Sequence, residues 1–180
     1  VLRGMAGHDV LHFDAHGRYD AAFPELATLS LADRPLTLED MAAVPAPSRL
    51  VNVSGCQTGA WPLTADSGHY GVGGYWVRLG TPWAIAARTV LADELAFALN
   101  ETFYAELSRS GSVAAAYGRA HAEVRARYPV RQWAGFLLLH SGRALSGPPR
   151  DEKGGVDGQM RTVDTPPPLG SPAAAVSTDP

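Results

Sequence analysis

Cysteine is nearly absent from this sequence. Cys56 is the only cysteine among 180 residues. A single cysteine excludes an intramolecular disulfide framework and any zinc site built from several thiolates. A lone cysteine is most often a small buried apolar residue, so its surroundings must decide whether it has a chemical role.

The sequence also lacks a large excess of charge of one sign and lacks long apolar runs. The formal net charge is −3, which gives no basic surface for nucleic acid or an anionic membrane. No apolar run approaches the roughly 20 residues that a membrane span needs, and the first residues lack the pattern of a signal peptide. We therefore expect a cytoplasmic protein. Because the sequence begins at Val1 without a methionine, we also expect it to be part of a longer chain.

The composition divides the chain into a folded part and a tail. Hydrophobic residues make up 46% of the sequence, enough for one domain with a real core, which we assign to residues 1–145. Residues 146–180 hold seven of the fourteen prolines and no aromatic residue. This segment cannot bury enough apolar surface to offset its chain entropy, so we predict a disordered Pro/Gly-rich tail.

Apolar runs and helical patterns alternate along residues 1–145. A polar turn at Arg34–Pro35 precedes Thr37, a predicted N-cap with Asp40 three residues later. Strands separated by helices predict an α/β fold with a largely parallel sheet, in which functional residues follow the carboxyl ends of strands. The predicted strands are Val10–Ala15, Thr28–Leu31, Arg49–Val53, "TPWAIAA" and "WAGFLLLHSG". The predicted helices are a short one that follows Thr37 and ends before Pro45, "GVGGYWVRLG", "LADELAFALNETFYAELSRSG", and a segment from Ser112 to about Tyr128. In the longest one, Leu95, Leu99, Phe103 and Leu107 repeat on one face and Gly111 stops the helix, and Ser112 can cap the next helix.

His16 and Cys56 each follow the end of a predicted strand. If the two strands are neighbours and parallel, their loops lie side by side, within reach of a cysteine–histidine pair. A nearby imidazole raises the thiolate fraction of a cysteine and makes it a nucleophile. Gly17 would allow its N–H to approach a substrate carbonyl closely. The alternative is a buried structural cysteine beside an unrelated turn, and the pattern alone leaves the two about equal.

A metal site is a second possibility at the same place. His12, Asp14 and His16 occupy alternate positions, so they share one face of a strand. Side chains on one straight strand lie about 6–7 Å apart, which is too far for all three to bind one ion. We therefore give the metal site little weight and expect His12 and Asp14 to support or orient the loop.

Several other residues are candidates for lining a substrate cleft. The loop that starts at Gln57 would form one wall over Cys56, and a second wall would follow the predicted strand "TPWAIAA". The same positions are equally compatible with ordinary loops. The candidate cleft residues are Asp14, Gln57, Trp61, Asp66, Arg88 and Asp93.

Four segments in this order resemble a known family. They are "LHFDAHG", "LVNVSGCQTG", "GTPWAIAARTVLADELAFALNETFYAEL" and "AAAYGRAHAEVR…WAGFLLLHSG", and together they cover Val1 to Arg143. The sequence resembles CHAT domains, which are caspase-like domains often found next to tetratricopeptide repeats. The His-Gly and Ser-x-Cys-x-Thr motifs are fairly specific together, although either alone is weak.

The resemblance implies both a fold and a reaction. The fold would be a caspase-like three-layer α/β sandwich with a mostly parallel sheet, lacking its first two strands in this chain. His16 would act as general base and Cys56 as nucleophile in peptide-bond hydrolysis, with the N–H groups of Gly17 and Cys56 as oxyanion hole. No cofactor is implied, and an adjacent repeat or sensor region would regulate the domain. The alternative is a catalytically silent caspase-like module that binds partners or relays a signal.

Overall fold

The computed structural model describes residues 2–20, 22–44, 48–59 and 71–142. The predicted tail, residues 146–180, lies outside the described residues, so it and the 1–145 domain boundary stay predictions. The elements, in chain order, are α1 (Leu2–Met5), β1 (Val10–Phe13), β2 (His16–Arg18), a 3-10 turn (Pro24–Leu26), β3 (Thr28–Ser30), β4 (Pro35–Thr37), α2 (Leu38–Ala42), β5 (Leu50–Val53), α3 (Gly71–Arg78), β6 (Trp83–Ala87), α4 (Asp93–Ser110), α5 (Val113–Arg127), α6 (Val130–Trp133) and β7 (Phe136–His140).

The main sheet has four strands in the order β1-β5-β6-β7. The β1–β5 and β5–β6 pairs are parallel, whereas β7 runs antiparallel to β6. In the first pair, Phe13 lies opposite Val53. This sheet confirms the predicted α/β fold with a mostly parallel sheet, as expected of a caspase-like domain.

Helices cover both faces of this sheet, which gives three layers. Successive side chains of a strand point to opposite faces, so β5 contributes to two apolar clusters. On one face, Val51 and Val53 belong to a cluster with Trp76 of α3. On the other face, Leu50 belongs to a cluster with Leu99 of α4, which also includes buried residues of α5. The alternation also places Asn52 on the side of the sheet that faces α4.

A second, smaller sheet of three antiparallel strands, β2-β3-β4, follows β1. Its core is formed by Leu29 and Leu36, which are fully buried. The sequence predicted β3, but it predicted a loop at His16 and a turn at Pro35, and both predictions are wrong because these positions belong to β2 and β4. Three-residue strands are too short to show an apolar alternation, so pairing with β3 determines them rather than local sequence.

The helix ends follow the predicted signals. The Thr37 hydroxyl accepts from the Asp40 N–H and the Asp40 carboxylate accepts from the Thr37 N–H, which forms a capping box. Gly111 ends α4 with φ at 65°, in the left-handed region that favours glycine. Ser112 then accepts from the Ala115 N–H and begins α5. Within the described ranges, no helix combines the length and the apolar character that crossing a membrane requires.

Candidate active site

We call the segments that follow β1 and β5 and carry His16 and Cys56 the two loops, although His16 itself begins β2. They leave neighbouring parallel strands at the same level. Because Phe13 lies opposite Val53, His16 and Cys56 each come three residues after the last matched pair of β1 and β5. The predicted neighbourhood of the two loops therefore exists. His16 begins β2 and its side chain is exposed, whereas Cys56 is half-buried in a turn.

Two glycines allow the backbones of these loops to touch. A Cβ added at Gly55 would overlap the Ala15 carbonyl oxygen and lie 3.1 Å from the carbonyl carbon of Ala15 and 3.2 Å from the Gly17 nitrogen. A Cβ added at Gly17 would overlap the carbonyl oxygen of Cys56 and lie 2.7 Å from Cγ2 of Thr58. Neither glycine has a positive φ. They are needed because any side chain would push the two loops apart.

The turn that carries Cys56 is held mainly by Thr58. The Thr58 hydroxyl donates to the carbonyl oxygens of Val53, at 2.8 Å, and Gly55, at 2.9 Å, and it accepts from the Ala87 N–H at 3.1 Å. These bonds attach the turn to the ends of both β5 and β6. Gln57 has a φ of 58°, which is uncommon for a residue with a side chain, so the backbone bends sharply immediately after Cys56.

The Cys56 thiol contacts the backbone of the loop between β6 and α4. The Leu91 N–H donates to Sγ at 3.4 Å, and the thiol donates to the Leu91 carbonyl oxygen at 3.7 Å. These two contacts hold the sulfur against the backbone of this loop. Within the ranges given above, the thiol has no hydrogen bond to the His16 imidazole, so the structure brings the loops together without pairing the two side chains.

The two predicted oxyanion-hole donors lie on facing segments. The contacts around Gly17 and Gly55 bring the Gly17 backbone against the turn of Cys56. The next N–H along this turn, that of Gln57, already donates to the Thr89 carbonyl at 3.3 Å. The Cys56 N–H, by contrast, donates to no carbonyl in the described part of the chain.

Four of the six predicted cleft residues can be placed in the structure. Asp14, Gln57, Arg88 and Asp93 are all exposed. Arg88 and Asp93 flank the loop that contacts the thiol, and the Arg88 N–H donates to the Gly135 carbonyl at 2.8 Å. Trp61 and Asp66 lie outside the described residues. Asp14 follows β1, Gln57 lies in the Cys56 turn, and Arg88 and Asp93 lie at the two ends of the segment between β6 and α4.

The side chain of His12, the first residue of the possible metal site, contacts α4. Its Nδ1 lies 3.0 Å from the Tyr104 hydroxyl, and the two rings stack with centroids 5.4 Å apart. Burial lowers the pKa of His12, and the nearby Asp14 carboxylate opposes that shift. Among the described residues, no group of three or more histidine, cysteine, aspartate or glutamate side chains is arranged to hold a metal ion.

Sequence reasoning missed the partners that surround the candidate pair. Leu91 contacts the thiol through its backbone, which no side-chain pattern can reveal. Thr58 stands within the recognised "GCQTG" segment, but its role was not inferred. Asn52 was the clearest overlooked signal, because an amide inside the apolar strand "LVNV" must find hydrogen-bond partners when it is buried.

Comparison with known proteins identifies the family of this chain. The family model described as CHAT domain matches residues 2–143, well over half of the chain. A search among curated proteins found no match. The match spans β1, the Cys56 turn and every element of the four-stranded sheet. The chain therefore belongs to the CHAT domain family, within the caspase-like peptidase clan.

Proposed function

We propose that this domain is a cysteine peptidase that hydrolyses peptide bonds through Cys56 and His16. One observation carries the proposal: the loops of the two residues leave adjacent parallel strands at the same level and touch through Gly17 and Gly55. The family to which the chain belongs supports the reaction class. The substrate would be a protein or peptide, and no cofactor enters the reaction.

The proposed reaction uses the imidazole first as a base and then as an acid. His16 accepts the thiol proton while the Cys56 sulfur attacks the scissile carbonyl carbon, which gives a tetrahedral oxyanion. The N–H groups of Gly17 and Cys56 would stabilise that oxyanion. Collapse breaks the C–N bond, and His16 donates its proton to the leaving amine. Water then hydrolyses the thioester, which releases the acid product and restores the thiol.

The Cys56 thiol and the His16 imidazole have to come into contact before this reaction can proceed. In the structure the thiol donates to the Leu91 carbonyl, so the Cys56 side chain must turn from that carbonyl to the exposed His16 imidazole. We propose that an adjacent repeat or sensor region regulates the domain through this step. The backbones of the two loops already touch, so the two side chains belong to segments in contact.

The test compares single variants of the intact protein against a peptide library, with products identified by mass spectrometry. Cys56→Ala and His16→Ala should each lower the cleavage rate by at least about 1,000-fold, because each removes one half of the nucleophile. His8→Ala is the matched control, since His8 is an exposed histidine outside the site, and it should cleave like the parent protein. Cleavage that survives Cys56→Ala would falsify the proposal.

One observation favours a second candidate, a catalytically silent module that binds partners. The thiol is hydrogen-bonded to the Leu91 backbone and not to His16. Iodoacetamide labelling from pH 5 to pH 9 separates the candidates, with Cys56, the one cysteine of this sequence, followed by mass spectrometry of its peptide. A peptidase thiol should react well below pH 8, whereas a silent module should react only near pH 8–9, as free cysteine does.

A further inference from the structure

A chain of polar side chains lies between the main sheet and α4, and the proposed reaction uses none of them. Asn52 of β5 donates to Asn100 Oδ1 at 2.9 Å and to the Tyr104 hydroxyl at 3.2 Å. Ser54 donates to Asn52 Oδ1 at 2.8 Å and accepts from Asn100 Nδ2 at 2.9 Å. Tyr104 in turn contacts His12 Nδ1 of β1. We call these five residues, His12, Asn52, Ser54, Asn100 and Tyr104, the polar network.

In the polar network, Asn52 donates to Asn100, Asn100 donates to Ser54, and Ser54 donates to Asn52, so each of the three side chains is both a donor and an acceptor. Asn52 and Asn100 use both the oxygen and the nitrogen of their amides, and Ser54 closes a ring with them. Since the Tyr104 oxygen accepts from Asn52, its O–H is available to donate to His12 Nδ1. In this direction His12 accepts at Nδ1 as a neutral imidazole, and its Nε2 proton has no hydrogen-bond partner among the described residues.

Polar side chains such as those of this network are seldom buried in the interior of a small domain. Asn52 is 0% exposed and Ser54 is 5% exposed, where apolar side chains would pack without needing partners. Burial also raises the pKa of Tyr104 to about 12, so its hydroxyl stays protonated and able to donate. A buried polar group costs stability unless it is hydrogen-bonded. The polar network bonds the side chains of Asn52, Ser54 and Asn100 and leaves His12 Nε2 without a partner in the part of the chain that the structure describes, and its bonds fix one arrangement of the elements that they join.

The polar network joins the elements that carry the candidate site. His12 lies four residues before His16, and Ser54 lies two residues before Cys56. Both are bound to α4, which begins two residues after Leu91, the residue that contacts the thiol. Together these contacts attach the ends of β1 and β5 to one helix, immediately before the loops that must stay in register.

We infer that the polar network is a positioning device, which fixes the ends of β1 and β5 against α4 so that His16 and Cys56 keep their spacing. This inference rests on the proposed function. Its members touch no reacting atom and act only through the loops that follow them. Loss of one bond should loosen the Cys56 turn and weaken the contact between the Leu91 N–H and sulfur.

The test uses Ser54→Ala and Tyr104→Phe, which each remove one hydroxyl, in the intact protein. Each should lower kcat for peptide cleavage by about tenfold and leave KM within about twofold, because small displacements of catalytic groups slow the chemical step. Ser54→Thr, which keeps a hydroxyl at this position, should retain most of the parental kcat. Val124→Ala is the control for lost stability, since Val124 is buried in α5 and makes none of the hydrogen bonds of the polar network; it should leave kcat unchanged.

A second measurement separates this inference from the proposed function. If the parent protein cleaves no peptide, the proposed function fails. The rate at which iodoacetamide alkylates Cys56 at pH 7.5 then reports on the surroundings of the thiol without any need for cleavage. Ser54→Ala and Tyr104→Phe should slow alkylation at least about threefold relative to Val124→Ala, because the donor to sulfur is displaced. Equal kcat or equal alkylation rates in these three variants would overturn the inference, as would an equally large effect of Val124→Ala.

Discussion

Gly55→Ala is the sharpest perturbation of the candidate site. The new methyl carbon would overlap the Ala15 carbonyl oxygen and lie close to the Ala15 carbon and the Gly17 nitrogen. All three are backbone atoms, so no rotamer change can make room, and the loops must separate by about 1 Å or more to reach ordinary contact distances. Overpacking of this kind costs typically about 1–3 kcal/mol, and we expect a value in the upper half of that range.

The separation should be felt more strongly in reactivity than in stability. Displacing catalytic groups by about 1 Å can cost about 100-fold in rate, so peptide cleavage by Gly55→Ala should fall by about that factor. Urea unfolding and cleavage kinetics of the same preparations give both quantities. Gly118→Ala is the control: Gly118 lies within α5 with no atom in the way of a Cβ, and alanine there should raise stability by about 0.5–1 kcal/mol. If Gly55→Ala retains both parental stability and parental activity, the reasoning about the touching loops is wrong.

Three further predictions concern stability. The Arg34 guanidinium holds the pKa of Asp40 well below 3.8, so Asp40→Asn should lower the free energy of unfolding at pH 7, and the difference should shrink as pH falls below 3.8. Burial lowers the pKa of His12, so the unfolded state takes up protons first below pH 6.5; urea unfolding should show stability falling from pH 6.5 to pH 5, and less steeply in His12→Gln. The pKa of His121 is also lowered, but it contributes equally to the parent protein and to His12→Gln, so the difference between their pH dependences belongs to His12. Gly111→Ala should lower the melting temperature, with a cost of about 1 kcal/mol for the left-handed φ at the end of α4.

Local signals were enough to predict the main elements. Apolar runs located the four strands of the main sheet. The pattern of Leu95, Leu99, Phe103 and Leu107 located the inner face of α4, where the first three are fully buried and Leu107 is partly buried. Thr37, Gly111 and Ser112 marked helix ends because capping depends on residues within a few positions of one another. Each of these features is determined by neighbouring residues, so sequence reasoning could reach it.

Features that depend on distant residues were not predictable in the same way. β2 and β4 are strands only because each pairs with β3. The polar network joins His12 to Tyr104 across 92 positions of the chain. At the candidate site, the sequence predicted that the two loops would be neighbours. It did not predict that the thiol would bind the Leu91 backbone, because that contact depends on where the β6–α4 loop lies in space.

The bonds of Thr58 have a practical consequence for the study of substrates. Its hydroxyl attaches the turn to β5 and β6 through backbone atoms, and none of these bonds involves the cysteine side chain. Replacing the sulfur should therefore leave the shape of the turn intact. A Cys56→Ala protein should bind whatever the parent protein binds and release it unchanged, which makes it a bait for isolating the natural substrate from cell extracts.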